Sequence, residues 1–130
     1  MGWRASDTAE LFFDDVMVPV ENLIGVENAG FFAIMSNFLS ERLSLCIMAY
    51  MTAQMAYEAA LAYVKEREAF GRPIGKFQVI RHKLVDMATE IEIAREYTYR
   101  AAAKMDAGET PIKEVSMAKN FATEVSNRAT

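Results

Sequence analysis

Residues 67–78, with the sequence REAFGRPIGKFQ, carry side chains that could bind a nucleotide cofactor. The guanidinium of Arg67 could hold a pyrophosphate through two parallel hydrogen bonds. The rings of Phe70 and Phe77 could stack on a ring system, and the amide of Gln78 could pair with ring or phosphate atoms. These four side chains are therefore candidate cofactor contacts.

The same stretch also has a plain structural interpretation, a turn between two helices. Gly71 would end the first helix, Pro73 would prevent its continuation, and Gly75 would let the chain reverse. Gly and Pro between two periodic segments usually mark a turn, so the spacing alone favours this interpretation. A turn alone does not explain why Arg67, Phe70, Phe77 and Gln78 are present in this stretch.

Helical patterns flank the stretch on both sides. Residues 31–70 predict one long helix, in which apolar and amide residues recur at steps of four and three: Leu43, Ile47, Tyr50, Gln54, Tyr57, Leu61 and Val64. This spacing indicates a packing seam. The other faces carry mainly Ala and Met, including Met48, Met51 and Met55, so we expect a helix buried on several sides with Met in the core.

Two further helices follow. The second has its seam at Ile80, Leu84, Met87, Ile91, Ala94, Thr98, Ala101 and Met105. Gly108 supplies its stop. Thr110 and Pro111 predict the N-cap and first turn of a third helix, which continues through Val115, Ala118, Ala122 and Val125. No terminator follows before Thr130.

The first 26 residues have a different character. Residues 8–18 are rich in Phe and Val, with a turn at Asp14 and Asp15, and predict two short β-strands that Pro19 ends. A linker follows, in which Asn28 is expected to cap the first helix. Two strands without partners are not a stable unit. We therefore expect the chain to be a piece of a larger protein.

Composition limits the classes of function. The chain has 130 residues, is 52% hydrophobic, and carries 14 Lys and Arg against 18 Asp and Glu. The scattered charges and the net charge of −4 argue against nucleic acid and anionic membrane surfaces. The longest uncharged stretch, residues 43–57, is shorter than the roughly 18 residues typical of a membrane span, so we expect none.

The remaining reactive residues suggest no other chemistry. Cys46 is the single cysteine and has no partner for a disulfide or zinc site, which favours a reducing compartment. His82 is the single histidine and is expected at a surface or interface, so no metal site is predicted. No signal or transit segment is visible.

The run ERxAFGxPIxxFQ at residues 66–78 resembles the signature of the acyl-CoA dehydrogenases, flavoenzymes that oxidise the Cα–Cβ bond of acyl-CoA thioesters. Residues 82–87 resemble the family's L-A-D-M stretch. Residues 2–25 are similar to the end of the family's middle β-domain, with six residues at the expected places: Phe13, Val16, Val18, Pro19, Asn22 and Gly25. The resemblance covers essentially the whole chain.

This resemblance implies an architecture and a cofactor. The chain would be mainly α: residues 1–26 would end the middle β-domain of a three-domain flavoenzyme, and residues 27–130 would form part of its C-terminal antiparallel four-helix bundle. In the family the bundle forms a dimer and tetramer interface, and its first hairpin contacts the FAD held mainly by a neighbouring subunit. By position, Arg67 would meet the pyrophosphate, while Phe70, Phe77 and Gln78 would complete the contact.

The family also implies a catalytic base within SERL, residues 40–43. In isovaleryl-CoA and long-chain acyl-CoA dehydrogenases the base glutamate immediately precedes an Arg, 26 positions before the cofactor-binding Arg. Glu41 stands in that position, followed by Arg42. Phe38 and Arg42 would then contact substrate. Two alternatives remain: an ordinary solvated helix carboxylate at Glu41, or a base beyond Thr130, as in most members.

The implied reaction converts an acyl-CoA to the trans-2-enoyl-CoA, with the Cα proton going to a glutamate and the Cβ hydride to flavin N5. Electron-transferring flavoprotein would be the acceptor, and the compartment would be the cytoplasm in a bacterium or the mitochondrial matrix in a eukaryote. The Glu41 position slightly favours short or branched acyl chains. The alternatives are a catalytically silent bundle for oligomerisation or docking, and a related flavin oxidase or monooxygenase.

Overall fold

The computed structural model describes residues 6–130, and most of them lie in three helices. The elements are α1 (Gly30–Glu66), β1 (Glu68–Ala69), β2 (Arg72–Pro73), α2 (Gln78–Asp106) and α3 (Ile112–Ala129), with short 3₁₀ turns at Val20–Asn22 and Ile74–Lys76. The two strands pair antiparallel between α1 and α2. Each helix packs against the other two. The prediction of a mainly helical chain is confirmed.

The core lies where the three helices meet, and it consists mostly of small residues. The predicted seam of α3 is confirmed, and that of α2 is confirmed over its middle, because these positions are buried: Ile91, Ala94, Thr98, Ala101, Val115, Ala118, Ala122 and Val125. The seam positions toward the two ends of α2 are half-buried: Ile80, Leu84, Met87 and Met105. The Thr98 hydroxyl donates to the carbonyl of Ala94 at 2.7 Å, so the polar group in this core is satisfied. Small side chains allow the helices to approach closely.

The predicted seam of α1 is partly wrong. Its buried residues are Cys46, Ala49, Tyr50, Ala53 and Val64, whereas Ile47 is 42% exposed. Because small side chains admit a neighbouring helix more closely than large ones, the Cys and Ala positions face α2 and α3.

The prediction that α1 is buried on several sides, with Met in the core, is also wrong for the described residues. Met48, Met51 and Met55 are all exposed. Two helices cover one side of α1 and leave the larger apolar side chains on the uncovered side. By length and composition alone α1 is also long and apolar enough to cross a membrane, with a mean hydropathy of 1.3 over its most apolar 18 residues, although the sequence predicted no span. A single helix of this kind is weak evidence for a span, because helices that pack in a protein core pass the same test.

The two strands predicted over residues 8–18 do not form. These residues are exposed, the chain bends at Asp14 and Asp15, and no other described segment pairs with them. Strand residues need a partner for their backbone hydrogen bonds, and apolar alternation alone does not supply one. Residues 1–5 of the predicted β-domain segment lie outside the described residues.

The predicted end of α2 is confirmed, whereas the predicted N-caps of α1 and α3 are wrong. Gly108 ends α2 as predicted: it has a φ of 79°, its N–H bonds the carbonyl of Met105, and the N–H of Glu109 bonds that of Lys104. The N-cap of α3 is Pro111 rather than Thr110. Asn28 does not cap α1, because it takes a left-handed φ of 63° and Ala29 occupies the N-cap.

Gly75 lets the connection between α1 and α2 pack closely against the end of α1. A Cβ at Gly75 would lie 3.0 Å from the backbone oxygen of Val64 and 3.3 Å from its Cγ2. The chain turns here as expected, in the 3₁₀ turn Ile74–Lys76, but the φ of Gly75 is not in the left-handed region, so the turn does not require the backbone freedom of glycine. Gly is needed there for close approach.

An ion pair joins the end of α2 to the start of α3. The Lys104 ammonium donates to Glu114 Oε1 at 2.7 Å and lies 3.5 Å from Glu109 Oε2. The hydrogen bond with Lys104 lowers the pKa of Glu114, and the same bond raises the pKa of Lys104. Because the pKa of Glu114 is depressed in the folded state, its contribution to stability is present above its unfolded pKa of 4.5 and is lost as the pH falls below that value.

The first prediction concerns this ion pair. Glu114→Gln should lower the midpoint of thermal unfolding at pH 7, and the difference from wild type should shrink as the pH falls below the carboxyl's unfolded pKa. Thermal melts by circular dichroism at several pH values measure it. Glu109→Gln, which removes the longer contact, is the control. A difference between Glu114→Gln and wild type that stays constant down to the acid limit would contradict the role of this carboxylate.

The second prediction concerns Gly75. Gly75→Ala should destabilise the fold by about 1–3 kcal/mol, because the added methyl overlaps the Val64 backbone, which cannot move without disturbing α1. Gly30→Ala is the matched control, since nothing lies within 4 Å of a Cβ there and Ala favours a helix. Chemical denaturation measures both. Equal stabilities would show that the connection does not depend on this contact.

Candidate functional site

The stretch at residues 67–78 forms a small β-hairpin that projects from the end of α1. The helix ends at Glu66, where the N–H of Arg67 still bonds the carbonyl of Tyr63. The strand register is Glu68 opposite Pro73 and Ala69 opposite Arg72. The prediction that the first helix extends to residue 70 and is ended by Gly71 is therefore wrong, because the chain leaves the helix after Glu66 and pairs with itself.

Phe70 and Gly71 form the two-residue tip of this hairpin. Both have positive φ, at 53° and 75°, which matches the backbone twist of a type I′ turn. A left-handed conformation costs a non-glycine residue about 1–2 kcal/mol. The Phe70 side chain is nevertheless 95% exposed, so burial within these residues does not offset that cost. Strain held at an exposed aromatic residue is typical of a binding site.

Phe77 immediately precedes α2, and its ring contacts the hairpin tip. Its ring meets the Phe70 ring edge to face, with centroids 6.2 Å apart and an interplanar angle of 84°. The Arg72 guanidinium lies over the same Phe77 ring, 4.3 Å from its centroid. The half-buried Phe77 therefore contacts both exposed side chains. Sequence reasoning missed Arg72, although the strand register could have identified it.

Arg67 and Gln78 flank the hairpin at its two ends. Both side chains are exposed. Among the described residues Arg67 forms no ion pair, and the Gln78 amide lies 3.4 Å from the His82 ring nitrogen Nε2. The hairpin thus brings the four predicted cofactor contacts to one end of the bundle, with their polar groups available to a ligand. His82 is exposed, as expected.

The predicted catalytic residues lie near the other end of α1. Glu41 is exposed, and its Oε1 accepts a hydrogen bond of 2.7 Å from the Asn37 amide one turn earlier. Phe38 and Arg42 are exposed on the same turns. Sequence reasoning missed Asn37, whose spacing of four residues from Glu41 was the available signal.

The length of α1 separates these two groups of residues. Glu41 and Glu66 belong to one continuous helix, in which 25 residues at 1.5 Å each span about 38 Å. A carboxylate at Glu41 and a cofactor contact at the hairpin of the same chain therefore cannot act on the same reacting atoms. A binding site at Glu41 or at the hairpin therefore needs further residues to enclose it, which the described residues do not supply.

Relatives and solved structures match nearly the whole chain. It is 44% identical over 129 residues, 99% of its length, to the probable acyl-CoA dehydrogenase YngJ of Bacillus subtilis, of which it covers 34%. The butyryl-CoA dehydrogenase structure from Megasphaera elsdenii superposes with a TM-score of 0.87 and 38% identity, covering 90% of this chain and 30% of that one.

A third match is a structure of PigA with FAD and proline. It superposes with a TM-score of 0.84 and 28% identity, covering 90% of this chain and 30% of that one. The chain thus spans about a third of the length of the curated relatives it matches. The model of the acyl-CoA dehydrogenase C-terminal domain matches residues 28–130. On these matches, the chain belongs to the acyl-CoA dehydrogenase family.

Proposed function

We propose that this chain is part of an enzyme that oxidises an acyl-CoA thioester to the trans-2-enoyl-CoA with FAD as cofactor. The observation that carries the proposal is the hairpin, which holds Phe70 exposed in a strained conformation next to Arg67. In this proposal residues 1–26 end a middle β-domain, and residues 27–130 contribute three helices to a four-helix bundle. A longer polypeptide supplies the other walls of the site.

The chemistry of the hairpin fits the FAD contact that the family resemblance implies. Arg67 has an exposed guanidinium with no ion-pair partner among the described residues, which suits a diphosphate. Phe70 offers an open aromatic face and edge, and Phe77 supports it from the side. Gln78 can donate to and accept from a nucleotide ring or phosphate.

Glu41 is the proposed base. The Asn37 amide holds Oε1 and leaves Oε2 to take the proton from Cα of the substrate. A bound flavin supplies the hydride acceptor, so that loss of the Cα proton and the Cβ hydride forms the double bond. The carboxylate gains one proton in each turnover and must return it to solvent before the next.

Phe38 and Arg42 are the proposed substrate contacts beside this base. Both lie within one turn of Glu41 on α1 and are exposed. The Phe38 ring can pack on the apolar acyl chain, and the Arg42 guanidinium can pair with the phosphate-bearing end of coenzyme A. Water leaves this region only when other parts of the protein cover it, which is a requirement for a general base acting on a carbon acid.

The separation along α1 supports an oligomer. Because Glu41 and the hairpin are about 38 Å apart, the hairpin of one copy would serve the flavin that faces Glu41 of another copy. A homodimer or homotetramer would also cover the exposed Met residues of α1. The proposed acceptor of the flavin's electrons is an electron-transferring flavoprotein, as the family resemblance implies.

The third prediction tests the base. The complete protein should purify with FAD, and anaerobic butyryl-CoA or isovaleryl-CoA should bleach its visible absorbance. Glu41→Gln should slow bleaching by about 100- to 10,000-fold while retaining FAD, because it removes the proton acceptor but not a cofactor contact. Stopped-flow absorbance measures the rate. Glu58→Gln is the matched control, since the Gln54 amide bonds Glu58 on the same helix in the same way, also at 2.7 Å.

Other outcomes would select the alternatives. Rapid bleaching by Glu41→Gln would place the base elsewhere, whereas a colourless protein that binds no FAD would favour the silent bundle. Reoxidation by air on the timescale of turnover would indicate an oxidase or monooxygenase.

A further inference from the structure

We infer that Arg72 is a second diphosphate-binding residue of the hairpin, acting together with Arg67. The ligand is the diphosphate of FAD, so this inference rests on the proposed function. It is carried by the strand register, the distribution of charge and the stacking of Arg72 on Phe77.

The register places the two arginines on the same face of the hairpin. Directly opposed residues of an antiparallel pair point to one face, and Ala69 lies opposite Arg72. Arg67 precedes Ala69 by two and so shares that face. The N–H of Ile74 bonds the carbonyl of Arg67 at 2.7 Å, which extends the pairing to this residue. Such diagonal neighbours lie roughly 7–8 Å apart, within reach of a common ligand for two long side chains.

The composition of that face leaves it open to an anion. Ala69 between the two arginines is small, whereas Glu68 belongs to the opposite face, because it is paired with Pro73. Among the described residues neither Arg67 nor Arg72 forms an ion pair. The two arginines are diagonal neighbours of like charge, and an anion held between them would offset their mutual repulsion.

The surrounding segment is basic in an acidic chain. Residues 65–83 contain six Lys and Arg against two Glu, a net +4 with His82 neutral, whereas the whole chain has a net charge of −4. A local positive field of this kind attracts an anion and raises its association rate. The two arginines on the hairpin face lie within this field.

Stacking on Phe77 prepares Arg72 for a bidentate contact. The guanidinium carbon lies 4.3 Å from the ring centroid, so the ring supports the guanidinium from one side, and Arg72 forms no ion pair among the described residues. Less side-chain entropy is then lost on binding, because the fork is already oriented. The same ring supports Phe70, which links the diphosphate contact to the aromatic contact.

The fourth prediction compares substitutions of Arg72 in the complete protein after its flavin has been removed. Arg72→Ala should weaken FAD binding about 10- to 100-fold, because it removes charged hydrogen bonds. The FAD affinity of Arg72→Lys should lie between those of wild type and Arg72→Ala, because lysine keeps the charge and loses the planar fork. Arg72→Gln keeps a planar group without charge, and should weaken binding as Ala does and flatten the dependence of FAD affinity on salt. Quenching of FAD fluorescence at several salt concentrations measures these affinities.

Arg81→Ala is the matched control. Arg81 is an exposed arginine of the same basic segment without an ion pair among the described residues, but it lies on α2 and not on the hairpin face. Its substitution should change FAD affinity by no more than about twofold. Circular dichroism of each variant confirms folding, and the Lys and Gln variants decide the matter if Arg72→Ala does not fold.

The possible failures are distinguishable. If wild type binds FAD and Arg72→Ala or Arg72→Gln binds it equally well, the inference is wrong and the proposed function stands. If Arg72→Gln keeps full affinity while Arg72→Ala loses it, Arg72 only positions Phe77, which also overturns a diphosphate contact. If wild type binds no FAD, the proposed function itself fails.

Discussion

The continuity of α1 is the constraint on which the rest of the structure depends. This helix runs unbroken over 37 residues, and the other two helices pack on the line of small residues along one of its sides. A helix is a rigid spacer, so the position of its first half fixes the position of the hairpin at its far end. The helix therefore keeps Glu41 about 38 Å from the hairpin of the same chain.

The hairpin packs against the end of α1. The backbone at Val64 receives Gly75 in close contact, and β1 begins two residues after α1 ends. Since so few hydrogen bonds hold the two strands, an isolated hairpin of this size would not be stable. Packing at Gly75 and the ring of Phe77 allow Phe70 to remain strained and exposed. The arrangement presents a binding surface to something outside these residues.

Sequence reasoning succeeded where one face of a helix was clearly polar. In α2 and α3, charged residues mark the solvent side, so the buried seam could be read directly from residues such as Ile91 and Val115. In α1 nearly every side is apolar over its middle, and periodicity alone could not separate Ile47, which is exposed, from Cys46, which is buried. Which residues of α1 are buried depends on which side chains are small enough to let a neighbouring helix approach.

The site was predictable in its residue types but not in its geometry. The residues of the hairpin identified a candidate cofactor contact, yet a left-handed Phe is uncommon, and no propensity rule would have placed Phe70 at the tip. Arg72 became apparent only with the strand register. The strands expected before Pro19 did not form, because no described segment supplies the backbone partner that a strand needs.

In the proposed oligomer, Glu41 of one copy and the hairpin of another copy serve the same flavin. Co-expression of copies carrying Glu41→Gln with copies carrying Arg67→Ala tests it most directly, once each altered protein alone is shown to be nearly inactive. Random pairing gives mixed dimers in which one site is intact and the other carries both changes, so about a quarter of wild-type activity should return. If both residues acted within one copy, every site would carry one defect, and no activity above that of the separate variants would appear.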